Sequence, residues 1–248
     1  DELCKLGIKC LKKAAMKKHD NRGAAAGLLD LKLLPAYAND PKYFIKSSAT
    51  RVDGYISKTT GKMVNNSLGN LSQSNIIGYF DRPDRNLGKG APLCRTTAFS
   101  SQQVDKWNKV IPLIIAMDRQ FKKLIPDRHK IQYKQAHETP YVIKDTAFST
   151  VTINYNWRTS LHKDAGDLKE GYGNLVVLEE GKYNGGYTGF PQFGVCVDVR
   201  NGDFLAMDVH EWHCNTEIKP ITKDYSRLSL VAYLREKMIR CKGMKLVE

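Results

Sequence analysis

The segment Leu161–Leu175, LHKDAGDLKEGYGNL, sets an imidazole and a carboxylate two residues apart, at His162 and Asp164, just after a stretch of alternating apolar and polar residues. In an extended chain, residues two apart point to the same side, so both groups can converge on one ion. They are an incomplete set. The facial triad that holds non-haem Fe(II) needs a second histidine and leaves the remaining coordination positions open. The segment DVHEWHCN offers two, His210 and His213. His213 is preferred, because it ends the strand pattern and precedes a Cys-Asn-Thr turn; His210 is the alternative, or a hydrogen-bonding partner of the ligands. Arg227 follows in RLSLV, with Ser229 on the same strand face. An arginine fork and a serine hydroxyl suit the far carboxylate of a keto acid whose other end chelates iron. An HxD pair alone is more often a surface pair than a ligand set. The weight comes from the later histidine and the RxS, all within strand patterns. Competing chemistries lack their motifs: there is no HExxH, no PCxxC, no GxGxxG and no phosphate-binding GKS or GKT.

Strands must carry these side chains, and the sequence period agrees. In TAFSTVTINYNW, Val151, Ile153, Tyr155 and Trp157 alternate with Thr150, Thr152, Asn154 and Asn156, which predicts one apolar and one polar face. Further strands are expected at NLVVLEE, FGVCVDV, DFLAMDVHEW and RLSLVAYLRE, with a turn at Asn201-Gly202. Many short strands punctuated by turns predict an α+β protein with a double-stranded β-helix, or jelly-roll, core braced by N-terminal helices. Upstream, residues 1–34 read as a basic amphipathic helix, with Leu3, Leu6, Cys10 and Ala14 on one stripe. A second helix is expected over Ser101–Leu124, with Ser101 as its N-cap and its end before Pro126. Between them, IIGYF reads as a strand, followed by a loop bearing Arg82, Arg85 and Lys89. The expected division is a basic helical extension over 1–65 and a main domain over 66–248, with its core at about 146–237.

Charge narrows the partner. Over residues 1–144, Lys and Arg outnumber Asp and Glu by 26 to 12, whereas over 145–248 they stand at 13 against 14. A basic first part beside a neutral centre suits a polyanion better than a small apolar substrate. The longest apolar runs fall far short of the roughly 20 residues that cross a bilayer. No signal-peptide pattern opens the chain. The expectation is a soluble intracellular monomer, nuclear or in a virus- or phage-infected host. The six cysteines are scattered, without metal-ribbon spacing, and are expected to be reduced.

At this level of detail the chain resembles a known family. TVTIN, HKDAGD, DVRNGD, DVHEWHCN and RLS, in that order over about residues 146–237, are similar to the catalytic core of the TET/JBP dioxygenases. CRTTAFS at 94–100 resembles the region that precedes it. The resemblance implies an Fe(II)- and 2-oxoglutarate-dependent dioxygenase that oxidises the 5-methyl group of 5-methylcytosine or thymine in DNA. It implies that His162, Asp164 and His213 are the iron ligands and that Arg227, with Ser229 and Asn154, holds the cosubstrate. Asp167 falls where relatives place a polar group near the cosubstrate or base. Because the iron lies inside a barrel, the base must be flipped out or single-stranded, with Arg82, Arg85, Lys89 and Arg95 the expected phosphate contacts. Ascorbate in place of 2-oxoglutarate, a protein or small-molecule hydroxylase, and a metal-free nucleic-acid-binding module are the competing readings.

Overall fold

The structure, a computed structural model, describes residues 2–19, 25, 44–46, 52–56, 63–65, 72–82, 90 and 92–246. Helix α1 (Glu2–Ala15) leads into the short strands β1 (Lys18–His19), β2 (Phe44–Lys46), β3 (Val52–Ile56) and β4 (Met63–Asn65), then the long strand β5 (Ser72–Asp81). Strand β6 (Cys94–Thr96) precedes three helices, α2 (Ala98–Gln102), α3 (Val104–Leu124) and α4 (Pro126–Ala136). Strands then dominate: β7 (Thr150–Tyr155), β8 (Gly173–Glu180), β9 (Tyr183–Gly185), β10 (Thr188–Phe190), β11 (Val195–Val197), β12 (Phe204–Met207), β13 (Cys214–Asn215), β14 (Ile218–Pro220) and β15 (Ser226–Tyr233). Helix α5 (Glu236–Ile239) follows.

Two antiparallel layers form the expected jelly-roll. The larger is a seven-stranded sheet in the order β1-β5-β7-β15-β8-β12, with β6 paired to β5. The smaller is built from the ladders β11-β10-β13 and β14-β9, with a further bridge joining His162 to His213.

The faces of the larger sheet explain the alternation in the sequence. Val151 and Ile153 of β7, Val176 and Leu178 of β8, and Leu228, Leu230 and Ala232 of β15 share one core with Leu11 of α1 and Ile114 and Phe121 of α3. Each fully buried leucine contributes roughly 2 kcal/mol, so the helices anchor the sheet from its apolar side. The opposite face is then free to carry chemistry. Ser229 lies opposite both Asn154 and Val177 in the strand register, and Arg227 opposite Glu179, so these side chains share the face turned toward the smaller layer.

Several expectations are corrected. The helix expected over 1–34 stops at Ala15: Lys18–His19 pairs instead with Ser72–Gln73 of β5, because the run from Lys17 has no apolar positions to continue the stripe. The rest of that expected helix, residue 25 apart, lies outside the described residues. Ser101 does not cap the long helix. It sits inside α2, where its hydroxyl donates to the Thr97 carbonyl, and a turn at Gln103 separates α2 from α3. Helix α3 does end before Pro126, and that proline opens α4, where its missing N–H costs nothing. The turn expected at Asn201-Gly202 is present, and it joins β11 to β12 as a crossover between the two layers. Cys94 and Cys241, expected to be reduced, are joined in a disulfide with Cα atoms 6.4 Å apart; they lie 147 positions apart in the chain, so spacing could not reveal the pair. Among the described residues, no helix is long and apolar enough to cross a membrane.

Candidate metal centre

His162 and His213 are held together by their own backbones, each N–H donating to the other's carbonyl at 3.0 Å. The pairing brings their rings to 4.3 Å between centroids. Asp164 reaches the same point, with Oδ1 3.3 Å from His162 Nε2. The three ligand atoms all lie within 4.8 Å of one another. Each ring donates its Nδ1–H to a carbonyl, His162 to Ser160 at 2.7 Å and His213 to Glu211 at 2.9 Å. That arrangement fixes the tautomer and leaves both Nε2 lone pairs for an ion. Burial, and then the facing His162, hold His213 below the ordinary histidine range, which favours its neutral form.

One detail differs from the sequence reading. His162 and Asp164 do not share a regular strand; Asp164 is placed by its own N–H, which donates to the Val209 carbonyl. The alternative ligand His210 stands apart, its Nδ1 3.0 Å from Asp208 Oδ1.

The sheet face turned toward the smaller layer carries a buried cation. Arg227 is 2% exposed, and its Nη2 donates to the Gly186 carbonyl at 3.2 Å. Burial lowers its pKa to about 10, which leaves it charged at neutral pH. Across the strand, Glu179 accepts from the Tyr183 hydroxyl, and burial raises its pKa. Arg227 Nε has no hydrogen-bond partner among the described residues, and neither do Asn154 Oδ1 and Thr188 Oγ1. Asn154 spends its Nδ2 on Ser229 Oγ at 3.2 Å. Orphaned buried polar atoms are uncommon and costly. Here two strands of the larger layer and one of the smaller each contribute one. A buried arginine with an unused N–H and a hydroxyl beside it fit an anionic ligand with several oxygens.

Asp167 enters a separate network. Arg235 lies 3.6 Å from it, donates from Nε to Asp81 Oδ1 at 3.0 Å, and donates from Nη1 to the Ala165 carbonyl at 2.8 Å. Burial, and then the charge of Asp164, raise the Asp167 pKa well above the usual carboxylate range. Gly166, at φ 86°, makes room for this guanidinium; a Cβ there would stand 2.5 Å from Arg235 Nη1. Sequence reading passed over Arg235 and Thr188. Counting by twos from Arg227 through 229, 231 and 233 arrives at Arg235, a signal that was there to follow; Thr188 had none.

Of the basic residues, Arg95 stands on β6 opposite Phe80, and the Arg235 guanidinium packs over that same Phe80 ring, 4.7 Å from its centroid. Burial and the neighbouring Arg82 lower the Arg95 pKa, so the two cations crowd one corner next to Asp81. Arg85 and Lys89 lie outside the described residues.

A double-stranded β-helix that carries two histidines and one carboxylate at one point, and a buried arginine on its larger sheet, defines the class: a candidate non-haem metal site on an oxygenase scaffold. Residues 75–236 match Tet_JBP, the oxygenase domain of the 2OGFeDO superfamily, and the chain belongs to that family. It is 34% identical over 223 residues to thymine dioxygenase JBP1-B of Trypanosoma cruzi (strain CL Brener), covering 87% of this chain and 25% of the relative. To thymine dioxygenase JBP1 of Trypanosoma brucei brucei it is 32% identical over 220 residues, covering 86% of this chain and 24% of the relative. The chain therefore spans about a quarter of the length of these curated relatives. Among solved structures it is similar to NgTET1 in complex with 5mC DNA, with a TM-score of 0.51 and 16% identity, covering 71% of this chain and 65% of that one.

Proposed function

We propose that this chain is the catalytic domain of an Fe(II)- and 2-oxoglutarate-dependent dioxygenase that hydroxylates the 5-methyl group of a pyrimidine in DNA. The observation that carries the reading is the occurrence of two unfinished sites on one scaffold: three ligand atoms within 4.8 Å of one another, and a buried Arg227 with an unused N–H. His162, Asp164 and His213 would hold Fe(II), and Arg227, Ser229, Asn154 and Thr188 would hold the far carboxylate of 2-oxoglutarate. Together, bound iron and keto acid supply the oxidising chemistry that puts oxygen on the methyl carbon. The protein's part is placement. The carbonyls of Ser160 and Glu211 aim the two imidazoles, and Arg227 orients the cosubstrate by charge-assisted hydrogen bonds.

Both histidines are buried, so a base paired in a duplex cannot reach them without leaving its stack. Arg82 and Arg95, with Arg85 and Lys89, would offset that cost at the phosphates. Asp167, three residues past Asp164, is the candidate for contact with the base edge. Thymine is favoured over 5-methylcytosine because the curated relatives are thymine dioxygenases. Arg227 favours 2-oxoglutarate over ascorbate, since a buried guanidinium is best matched by a carboxylate.

The test is direct. The protein is incubated with Fe(II), with either 2-oxoglutarate or ascorbate, and with duplexes bearing only thymine or also 5-methylcytosine, and the nucleosides are identified by mass spectrometry. Hydroxymethyl products that vanish in His162→Ala are expected; a metal-loaded protein that turns over neither DNA overturns the reading.

A further inference from the structure

Strand β10 runs antiparallel to β13, with Thr188 opposite Asn215 and Gly189 opposite Cys214, the residue that follows His213. On its other side β10 pairs with β11, with Phe190 opposite Val195. Between them Pro191–Phe193 makes a 3₁₀ turn, and Gly194, at φ 65°, closes a tight loop. The hairpin thus starts beside a metal ligand and continues beyond it. Its tip is apolar and open to water: Phe193 is 62% exposed and Val195 47%. The tip is also tethered, because the Gln192 side-chain amide donates to the Glu211 carboxylate, two residues before His213.

We propose that this hairpin is a wedge for double-stranded DNA, with the Phe193 ring entering the base stack where the target base has left it. The proposal rests on the dioxygenase reading above. Turning a base into a buried metal centre leaves a hole in the duplex, and the open complex persists only if something occupies it. Apolar side chains serve that purpose in proteins that unstack DNA, and an aromatic ring stacks on any base. Residues 189–197, GFPQFGVCV, carry no charge, which suits a base stack and not the phosphates outside it. The rest of the chain supplies attraction to the polyanion through its net charge of +13. A protein partner for the same tip is an outcome the test separates.

The experiment compares Phe193→Ala with wild type on one sequence presented as duplex and as single strand. A wedge predicts a loss of about tenfold in kcat/KM on the duplex and a change under about twofold on the single strand, where no stack needs opening. Phe193→Leu keeps an apolar wedge and restores most of the loss. Equal losses on both substrates, or none on either, overturn the proposal, the second pointing to a protein-facing tip. A second readout needs no turnover: 2-aminopurine beside the target base brightens on binding wild type and stays quenched with Phe193→Ala. Should wild type turn over neither substrate, the dioxygenase reading fails, and the 2-aminopurine response alone decides the wedge. The ring is exposed, so the thermal melt of Phe193→Ala is expected to match wild type.

Discussion

Arg227 donates from Nη2 to the carbonyl oxygen of Gly186, 3.2 Å away, so the guanidinium that would grip a carboxylate is aimed by the smaller layer. Gly186 sits at φ 73°, where a side chain is strained, and a Cβ there would stand 3.2 Å from Arg227 Nε, the nitrogen without a partner. Gly186→Ala is therefore expected to raise the KM for 2-oxoglutarate about tenfold while changing kcat less. Arg227→Lys, which replaces a fork with a point charge, should raise it further. A 2-oxoglutarate titration checks both, and an unchanged KM in Gly186→Ala would show that the close approach does not aim the arginine.

Removing a metal ligand and removing its neighbour should differ sharply. His213→Ala deletes one of three convergent atoms and should abolish tight metal binding, whereas His210→Ala, whose ring is engaged by Asp208, should bind within about threefold of wild type. Co(II) serves as a spectroscopic probe, its visible absorbance reporting the site, and chelation should bleach it reversibly. Equal losses in the two variants would reassign the ligand.

Arg235 neutralises two buried carboxylates, Asp81 at 3.0 Å and Asp167 at 3.6 Å. Truncating it leaves Asp167 without its cation and Asp81 with only Lys237, 3.6 Å away, so Arg235→Ala should destabilise the fold by about 3 kcal/mol. Adding Asp167→Asn to that background should restore part of the loss, since an amide needs no cation beside it. Urea unfolding measures both, and a double variant no more stable than the single would place the defect in lost packing, such as the contact with Phe80.

Asp118 of α3 joins the helical layer to the strand that carries the site. Its Oδ1 accepts from His129 Nε2 at 3.0 Å and from the Ala147 N–H at 2.7 Å, all buried. Asp118→Ala strands both donors and should cost about 3 kcal/mol. Asp118→Asn, which keeps an acceptor, should cost less. Equal unfolding midpoints for Asp118→Ala and wild type would remove this link from the fold's stability.

Much of the site was legible along the chain because a strand reports its own faces. The period-two pattern put Asn154 on the polar face of 150–155 and Ser229 on the face of Arg227 in 226–233, and the structure sets all three on one face. The same pattern did not say which face looks inward. It is the polar one, since the apolar residues are consumed by α1 and α3. Helix ends were read less well: the stripe over residues 1–34 and the cap at Ser101 both yielded to β1 pairing with β5 and to the turn at Gln103.

Residue type, spacing and alternation are local properties, set by neighbours in the chain, and they sufficed to nominate His162, Asp164, His213 and Arg227. Which groups end up unpaired is a property of packing between distant segments. Thr188 matters only because the fold buries its hydroxyl without a partner, Asp167 meets Arg235 across 67 intervening residues, and Cys94 meets Cys241 from 147 positions away. Burial strips water from polar atoms wherever the layers close, so only the folded arrangement shows which of them still need a partner, and hence what the pocket is built to hold.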